Sequence, residues 1–159
     1  MTINKGDKIP DVTVAKATSE GPQQVQTGEF FAGRKVALFA VPGAFTPTCS
    51  AKHLPGFVEK ADELKAKGVE EIACTSVNDA FVMSAWKEAN DAGDITMLAD
   101  GNGEFAKAVG LDVDFTGYGM GSRSNRYSMI VDDGVVTEIN VEGPGEFNVS
   151  SADHMLGQL

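Results

Sequence analysis

Apolar and polar positions divide the chain into alternating strand and helix patterns. Lys35 to Val41, KVALFAV, is a continuous apolar run, the mark of a strand covered on both faces. Pro42 and Gly43 stop it. From about Thr48 the spacing changes. Leu54, Phe57, Val58, Ala61 and Leu64 fall on one helical face, with Lys52, Glu59, Lys60, Asp62 and Lys65 around the rest. Pro55 removes a backbone donor from this helix and predicts a bend, and Gly68 closes it. Glu70 to Val77 predicts a second strand. Asn78 or Asp79 then caps a helix whose apolar face carries Phe81, Val82, Ala85, Trp86 and Ala89. Thr96 to Ala99 reads as a short strand, Glu104 to Val109 as a brief helix, and the glycine-rich TGYGMGSRSN as a loop. Tyr127 to Val131 and Val135 to Val141 form a hairpin around Asp132-Asp133-Gly134. Ser150 or Ser151 starts a C-terminal helix, with Asp153 near its positive end. Asp11 to Ala17 alternates weakly and predicts an edge strand.

Strands alternating with helices, then a hairpin and a final helix, describe a three-layer α/β domain. The order, βαβ first and ββα second, is that of a thioredoxin-like core with an N-terminal extension and an inserted helix. A central mixed β-sheet flanked by helices is therefore expected, as one domain over residues 1–159. Composition narrows the function. The hydrophobic fraction of 42% suits a globular chain rather than a disordered one. No apolar run approaches the roughly 18 residues that span a bilayer, and MTINKGDKIP lacks the shape of a secretory signal. A cytoplasmic setting is the expectation. The net charge of −10 is spread along the chain, so nucleic acid and anionic membrane are poor partners. Two cysteines and two histidines offer no metal-ligand spacing.

One of those cysteines, Cys49, sits in VPGAFTPTCS, where the strand hands over to the helix. In open α/β sheets chemistry gathers at the carboxyl ends of strands. Backbone N–H groups and the helix dipole favour an anion there, which stabilises thiolate over thiol. A free cysteine with a pKa of about 8.5 is only about 3% ionised at pH 7. Full ionisation therefore gains at most roughly 30-fold, near 2 kcal/mol, and a fast thiol enzyme must also orient its electrophile. Thr46 is the candidate for that task. Thioredoxin carries C-x-x-C at this turn, whereas this chain reads T-P-T-C. A hydroxyl that donates and accepts replaces the first sulfur. Pro42 shields the site and presets the chain's path. Such a thiolate is suited to a small oxygen electrophile rather than to disulfide exchange within one turn.

PGAFTPTCS fits the peroxiredoxin signature P-x-x-x-T-x-x-C through Pro42, Thr46 and Cys49. The continuation AKHLPGFVEKADELKAKGV resembles the type II peroxiredoxins, the atypical branch that includes the human fifth member and plant cytosolic enzymes. The likeness extends through IACTSVNDAFVMSAW, LADGNGEF, SRSNRYSMIVDDG and GEFNVSSADHML, nearly the whole chain. The resemblance implies a thiol-specific peroxidase that reduces hydrogen peroxide and organic hydroperoxides without metal, haem or flavin. Cys49 would be the peroxidatic cysteine, forming a sulfenic acid. Thr46 would hydrogen-bond the peroxide and the sulfur, and the N–H of Cys49 would complete the donor set. Arg126 matches the family arginine that favours the thiolate and polarises the peroxide; spacing alone does not separate it from Arg123 or Arg34. The resemblance also implies a homodimer through surfaces beside the active site, with the residues around Phe45 and Gly119 as candidates.

Cys74 lies mid-strand and reads first as an inert core thiol. Plant type II enzymes nevertheless carry a cysteine at this place, often given a resolving role, and a bridge to Cys49 would need local unfolding. The resolving cysteine of the mammalian fifth peroxiredoxin falls near FNVSS, which holds none here. Glutathione with glutaredoxin is thus the expected reductant, with thioredoxin as the alternative. Two rival functions stand beside this one. A redox sensor would use the same Cys49 to signal to a partner. A cysteine hydrolase would use His53, four residues on, as base, but no orienting group for it can be named. GYGMG is no dinucleotide fingerprint, since it neither follows a clear strand nor opens a helix. DGNGE lacks the later ligands of a calcium loop.

Overall fold

The computed structural model describes residues 2–159; Met1, the first residue of the expected domain, lies outside them. Its frame is a seven-stranded mixed sheet. In chain order the strands are β1 (Thr13–Thr18), β2 (Gly21–Gln26), β3 (Lys35–Ala40), β4 (Glu71–Ser76) and β5 (Ile95–Ala99). They continue with β6 (Asp112–Asp114), β7 (Ser122–Ser124), β8 (Tyr127–Asp132) and β9 (Val135–Val141). The order across the large sheet is β2-β1-β5-β4-β3-β8-β9, with β6 and β7 forming a separate pair. β3, β4 and β5 run parallel at the centre, and β8 joins β3 antiparallel.

Both faces of the central strands are covered. Along β3 the side chains alternate between two cores. Ala37 and Phe39 join Leu54, Phe57, Leu64, Met83 and Trp86 on one side. Val36, Leu38 and Ala40 join Phe31, Phe105, Val109 and Met129 on the other. The first layer holds α2 (Leu54–Glu59), α3 (Ala61–Ala66), α4 (Ala80–Ala89) and α6 (Ala152–Leu156). Phe31, just after α1 (Thr27–Phe30), and Phe105 of α5 (Glu104–Ala108) cover the opposite face. This is the helix-flanked thioredoxin-like arrangement the element order predicts.

Caps act where the side chains allow. Asp79 accepts from the Val82 N–H to start α4, and Ser151 accepts from the His154 N–H to start α6. The β8–β9 hairpin turns through Asp133 and Gly134, at φ of 48° and 77°, as a two-residue turn between twisted strands requires.

Four details depart from the sequence pattern. β1 is not an edge strand, because β2 pairs outside it over its whole length; GPQQVQ carries no apolar alternation to betray it. The glycine-rich loop contains β7, which pairs with β6 just ahead of it. The long helix begins with a π-helical turn, Cys49–His53, and breaks at Lys60 into α2 and α3. Pro55 accounts for the first change: it supplies no N–H, and the wider turn, closed by Leu54 N–H to the Cys49 carbonyl, absorbs the gap. Finally, α4 buries Ala80, Met83 and Trp86, whereas Phe81 is 71% exposed and Ala85 and Ala89 face solvent. The cap at Asp79 sets the helix phase, and that phase favours Met83 over Phe81.

Candidate active site

The end of β3 delivers the chain to the site. Val41 still bonds to the Thr75 carbonyl (3.1 Å), after which Pro42 leaves the sheet. The following turn places Phe45 in the left-handed region, at φ of 67°, a costly conformation for a bulky side chain. Helical backbone resumes at Pro47, a first-turn position where the missing N–H costs nothing. The first helical bond runs from Ser50 N–H to the Thr46 carbonyl (2.9 Å). The N–H groups of Thr48 and Cys49 therefore precede the ladder and remain free to face an anion. Trp86 ties this turn to α4 by donating from Nε1 to Ser50 Oγ (3.0 Å).

Cys49 is fully buried, and two side chains reach its sulfur. Thr46 Oγ1 lies 2.9 Å from Sγ and 2.7 Å from the Gly43 carbonyl. The hydroxyl has one proton. With a protonated thiol it can donate to Gly43 and accept from S–H; with a thiolate it can swing to donate to sulfur. Arg126, just ahead of β8, donates from Nη2 to Sγ at 3.0 Å. Both contacts are better made by an anionic sulfur. A cleft of about 560 Å³ opens above, walled by Pro42, Thr46, Arg126, Phe115, Tyr118 and Met120. Cys49 does not line it: the sulfur lies behind Thr46 and Arg126.

Behind the arginine is a second tier of contacts. Arg126 Nη1 meets His53 Nδ1 at 2.9 Å, and His53 Nε2 meets the Ser150 carbonyl at 2.9 Å. Arginine only donates and the carbonyl only accepts, so Nδ1 is the acceptor and Nε2 carries the proton. His53 is packed among Phe39, Phe57 and Phe147. Burial first, and the neighbouring Arg126 cation second, push its pKa from 6.5 down to about 3. Ser150 is held by Glu142, whose carboxylate accepts from the backbone N–H groups of Asn148, Val149 and Ser150 and from the Ser150 hydroxyl. Burial opposes the charge on Glu142, but these donors outweigh it and keep its pKa below the usual carboxylate value.

Residues 4–156 match the family model described as Redoxin. The chain belongs to the redoxin family. Its relatives make it an atypical type II peroxiredoxin. Peroxiredoxin-2E-2, chloroplastic, of Oryza sativa subsp. japonica is 54% identical over 164 residues, covering 99% of this chain and 73% of that protein. Peroxiredoxin-2B of Arabidopsis thaliana is 51% identical, covering 99% and 98%. The crystal structure of reduced Prx3 from Vibrio vulnificus in complex with hydrogen peroxide superposes with a TM-score of 0.95 at 55% identity, covering 99% of each chain.

In this peroxiredoxin the four residues singled out from the sequence meet at one place: Pro42, Thr46 and Arg126 line the cleft, and Cys49 lies beneath it. Of Arg123 and Arg34, indistinguishable from Arg126 by spacing, neither donates to the Cys49 sulfur. Arg123 stays beside the active-site turn, donating to the carbonyls of Met120 (3.0 Å) and Pro42 (3.5 Å), and Arg34 pairs with Glu71 (3.1 Å). His53 is no hydrolase base for Cys49, since both ring nitrogens are engaged by Arg126 and Ser150. The tier of His53, Ser150 and Glu142 was missed from sequence. Only the four-residue interval from Cys49 to His53 hinted at it, and nothing local marks Glu142. Cys74 is fully buried in β4, opposite Phe39 and Met97. Burial, reinforced by the nearby Cys49, pushes its thiol pKa well up. Among the described residues no three His, Cys, Asp or Glu side chains converge as metal ligands, and no helix is long and apolar enough to cross a membrane.

Proposed function

We propose that this peroxiredoxin peroxidase reduces hydrogen peroxide and organic hydroperoxides with Cys49 as the attacking thiolate. The convergence of Thr46 Oγ1 and Arg126 Nη2 on one buried sulfur, at 2.9 and 3.0 Å, is the observation that supports this reading most strongly. The thiolate attacks one peroxide oxygen. An S–O bond forms as the O–O bond breaks, and the departing hydroxide or alkoxide takes a proton to leave as water or alcohol. Cys49 is left as a sulfenic acid. Thr46 and Arg126 donate to the oxygens, where negative charge develops, while Pro42 limits water at the turn. The reaction calls for no metal, haem or flavin, so chelators should not slow it. The hydrogen peroxide bound by the Vibrio vulnificus neighbour supports the same substrate here.

Recycling falls to an external thiol. A glutathione thiolate attacks the sulfenic sulfur. An S–S bond forms as the S–O bond breaks, leaving a mixed disulfide, and the departing hydroxide takes a proton from solvent to become water. A glutaredoxin thiol then displaces Cys49 from that disulfide. The burial of Cys74 at the middle of the sheet favours this route over an internal bridge. Turnover with glutathione and glutaredoxin should match wild type in Cys74→Ser; turnover with thioredoxin alone, lost in that variant, would refute the route. A homodimer is part of the same proposal, favoured by Phe45 and Tyr118, 54% and 81% exposed. A cytoplasmic setting is proposed too, to be checked by fractionation, since some relatives are chloroplastic. The deciding experiment is peroxide consumption by Cys49→Ser. Loss of activity is expected, and retained activity would overturn the assignment. Repeated cycling with a supplied reductant separates an enzyme from a sensor that oxidises once.

A further inference from the structure

We infer that Met120 is a second oxidation site of this enzyme, a thioether in the cleft wall that takes oxygen from a hydroperoxide and whose sulfoxide slows reduction of organic hydroperoxides. The inference rests on the peroxidase reading above for the identity of what enters the cleft.

The chain carries six methionines. Met83, Met97, Met129 and Met155 are fully buried in the two cores, and Met1 lies outside the described residues. Met120 is half-buried and lines the cleft, which neither cysteine does. Its backbone is held on both sides. The Met120 N–H donates to the Phe115 carbonyl (3.1 Å), and its carbonyl accepts from Arg123 Nε (3.0 Å). Gly119 and Gly121 flank it in left-handed backbone, at φ of 72° and 67°. The side chain is thereby laid over Gly43 in the active-site turn. A side-chain carbon built on Gly43 would meet Thr46 Cγ2 at 3.1 Å, the Met120 methyl at 3.2 Å and Arg123 Nη1 at 3.3 Å. A thioether, the threonine that serves Cys49 and a guanidinium therefore crowd around one point.

A thioether has no proton to lose, so it is nucleophilic at any pH, though slower toward peroxide than a thiolate. Cys49 takes the first peroxide. Met120 is reached when another enters while Cys49 waits as a sulfenic acid. Its sulfur attacks one peroxide oxygen; an S–O bond forms as the O–O bond breaks, and the proton on the attacked oxygen passes to the departing hydroxide or alkoxide. The thioether is oxidised by two electrons to the sulfoxide, and the peroxide is reduced to water or alcohol. The new oxygen is a hydrogen-bond acceptor set beside Arg123 Nη1, whose contact to the Pro42 carbonyl is long, at 3.5 Å. A wall suited to an alkyl group becomes polar, so organic hydroperoxides lose more than hydrogen peroxide does.

Two readouts test this. The first is peptide mass after a hydrogen peroxide pulse of Cys49→Ser, in which no thiolate at the site competes for the reagent. One oxygen should appear on Met120 before Met83, Met97, Met129 or Met155. It should form about 10-fold faster than at Met120 in the urea-unfolded chain, because the cleft holds peroxide beside the sulfur. The second is turnover by wild type and Met120→Leu, each against its own unpulsed rate, after dithiothreitol has restored Cys49. Pulsed wild type should reduce cumene hydroperoxide about 10-fold more slowly, with a smaller loss for hydrogen peroxide. Methionine sulfoxide reductase should reverse that loss, as it cannot for a Cys49 sulfinic acid; Met120→Leu should show no reversible loss. Should Met120→Leu not fold, reversal in the wild type decides. A core methionine oxidised first, no faster oxidation in the folded chain, equal losses with both peroxides, or no loss reversed by the reductase would each overturn the inference. Peroxide consumption by Cys49→Ser would instead overturn the peroxidase reading.

Discussion

Two hydrogen-bond donors reach Cys49 from different distances along the chain, and that difference governs what was legible. Thr46 is three residues away and arrives through local turn geometry, so T-P-T-C displays it. Arg126 is separated by 77 residues; it is chosen by β8 pairing with β3, in the register Tyr127 opposite Ala40. No spacing rule carries that information, and only resemblance marked the residue. His53, Ser150 and Glu142 were harder still: His53 meets the Ser150 carbonyl 97 residues away, and Glu142 is held largely by backbone N–H groups that any residue supplies. At this scale Thr46→Val should reduce the peroxide rate by about 100-fold or more, since the lost donor is aimed at a reacting oxygen; stopped-flow oxidation measures it. His53 also sets an acid limit. The unfolded chain takes up a proton at 6.5 but the native site only near 3. Protons therefore favour unfolding, and His53 makes stability rise with pH between those values and level off above. Urea titrations across pH 4 to 7 should show a shallower slope for His53→Gln.

Elements obey the pattern where burial is two-sided and depart from it where a cap or a proline intervenes. β3 was readable from its continuous apolar run, and β4 from a short β-branched and small-residue segment between Gly68 and the Asn78-Asp79 cap. β2 was not, since a polar edge strand is held by its hairpin and by backbone ladders rather than by side chains. In α4, apolar residues lie on two adjoining faces, and Asp79 decides between them. The stability consequence is direct. Met83→Ala should cost about 2–5 kcal/mol as a core cavity, whereas Phe81→Ser should change stability by no more than about 0.5 kcal/mol. Equal losses in chemical denaturation would contradict the helix phase described here. The π-helical turn was likewise beyond sequence patterning. Pro55 announced a disturbance, but its resolution toward Cys49 follows from where the chain must bury His53 and Leu54.

The whole molecule combines an acidic surface with an apolar rim at its cleft. The net charge of −10 argues against nucleic acid and anionic membrane at the level of long-range field. Phe45 and Tyr118 are too large and too exposed to be explained by the fold alone, and they belong to the proposed pairing of two copies. Sedimentation should find a dimer in the wild type and a shift toward monomer in Tyr118→Asp. The layer order and mixed sheet were legible from the sequence of elements. The small β6–β7 sheet was hidden because its strands, DVD and SRS, flank a glycine-rich turn and carry no apolar signature.

The backbone of Phe45, at φ of 67°, has an effect on timing. Its conformation stores about 1–3 kcal/mol in the same turn that conceals the sulfur. In the proposed cycle a small glutathione thiolate, not a protein, meets the concealed sulfur first, and strain in this peptide lowers the cost of any rearrangement that admits it. Phe45→Gly removes the strain, so capture of the oxidised sulfur by glutathione should slow, as a stopped-flow trace would register.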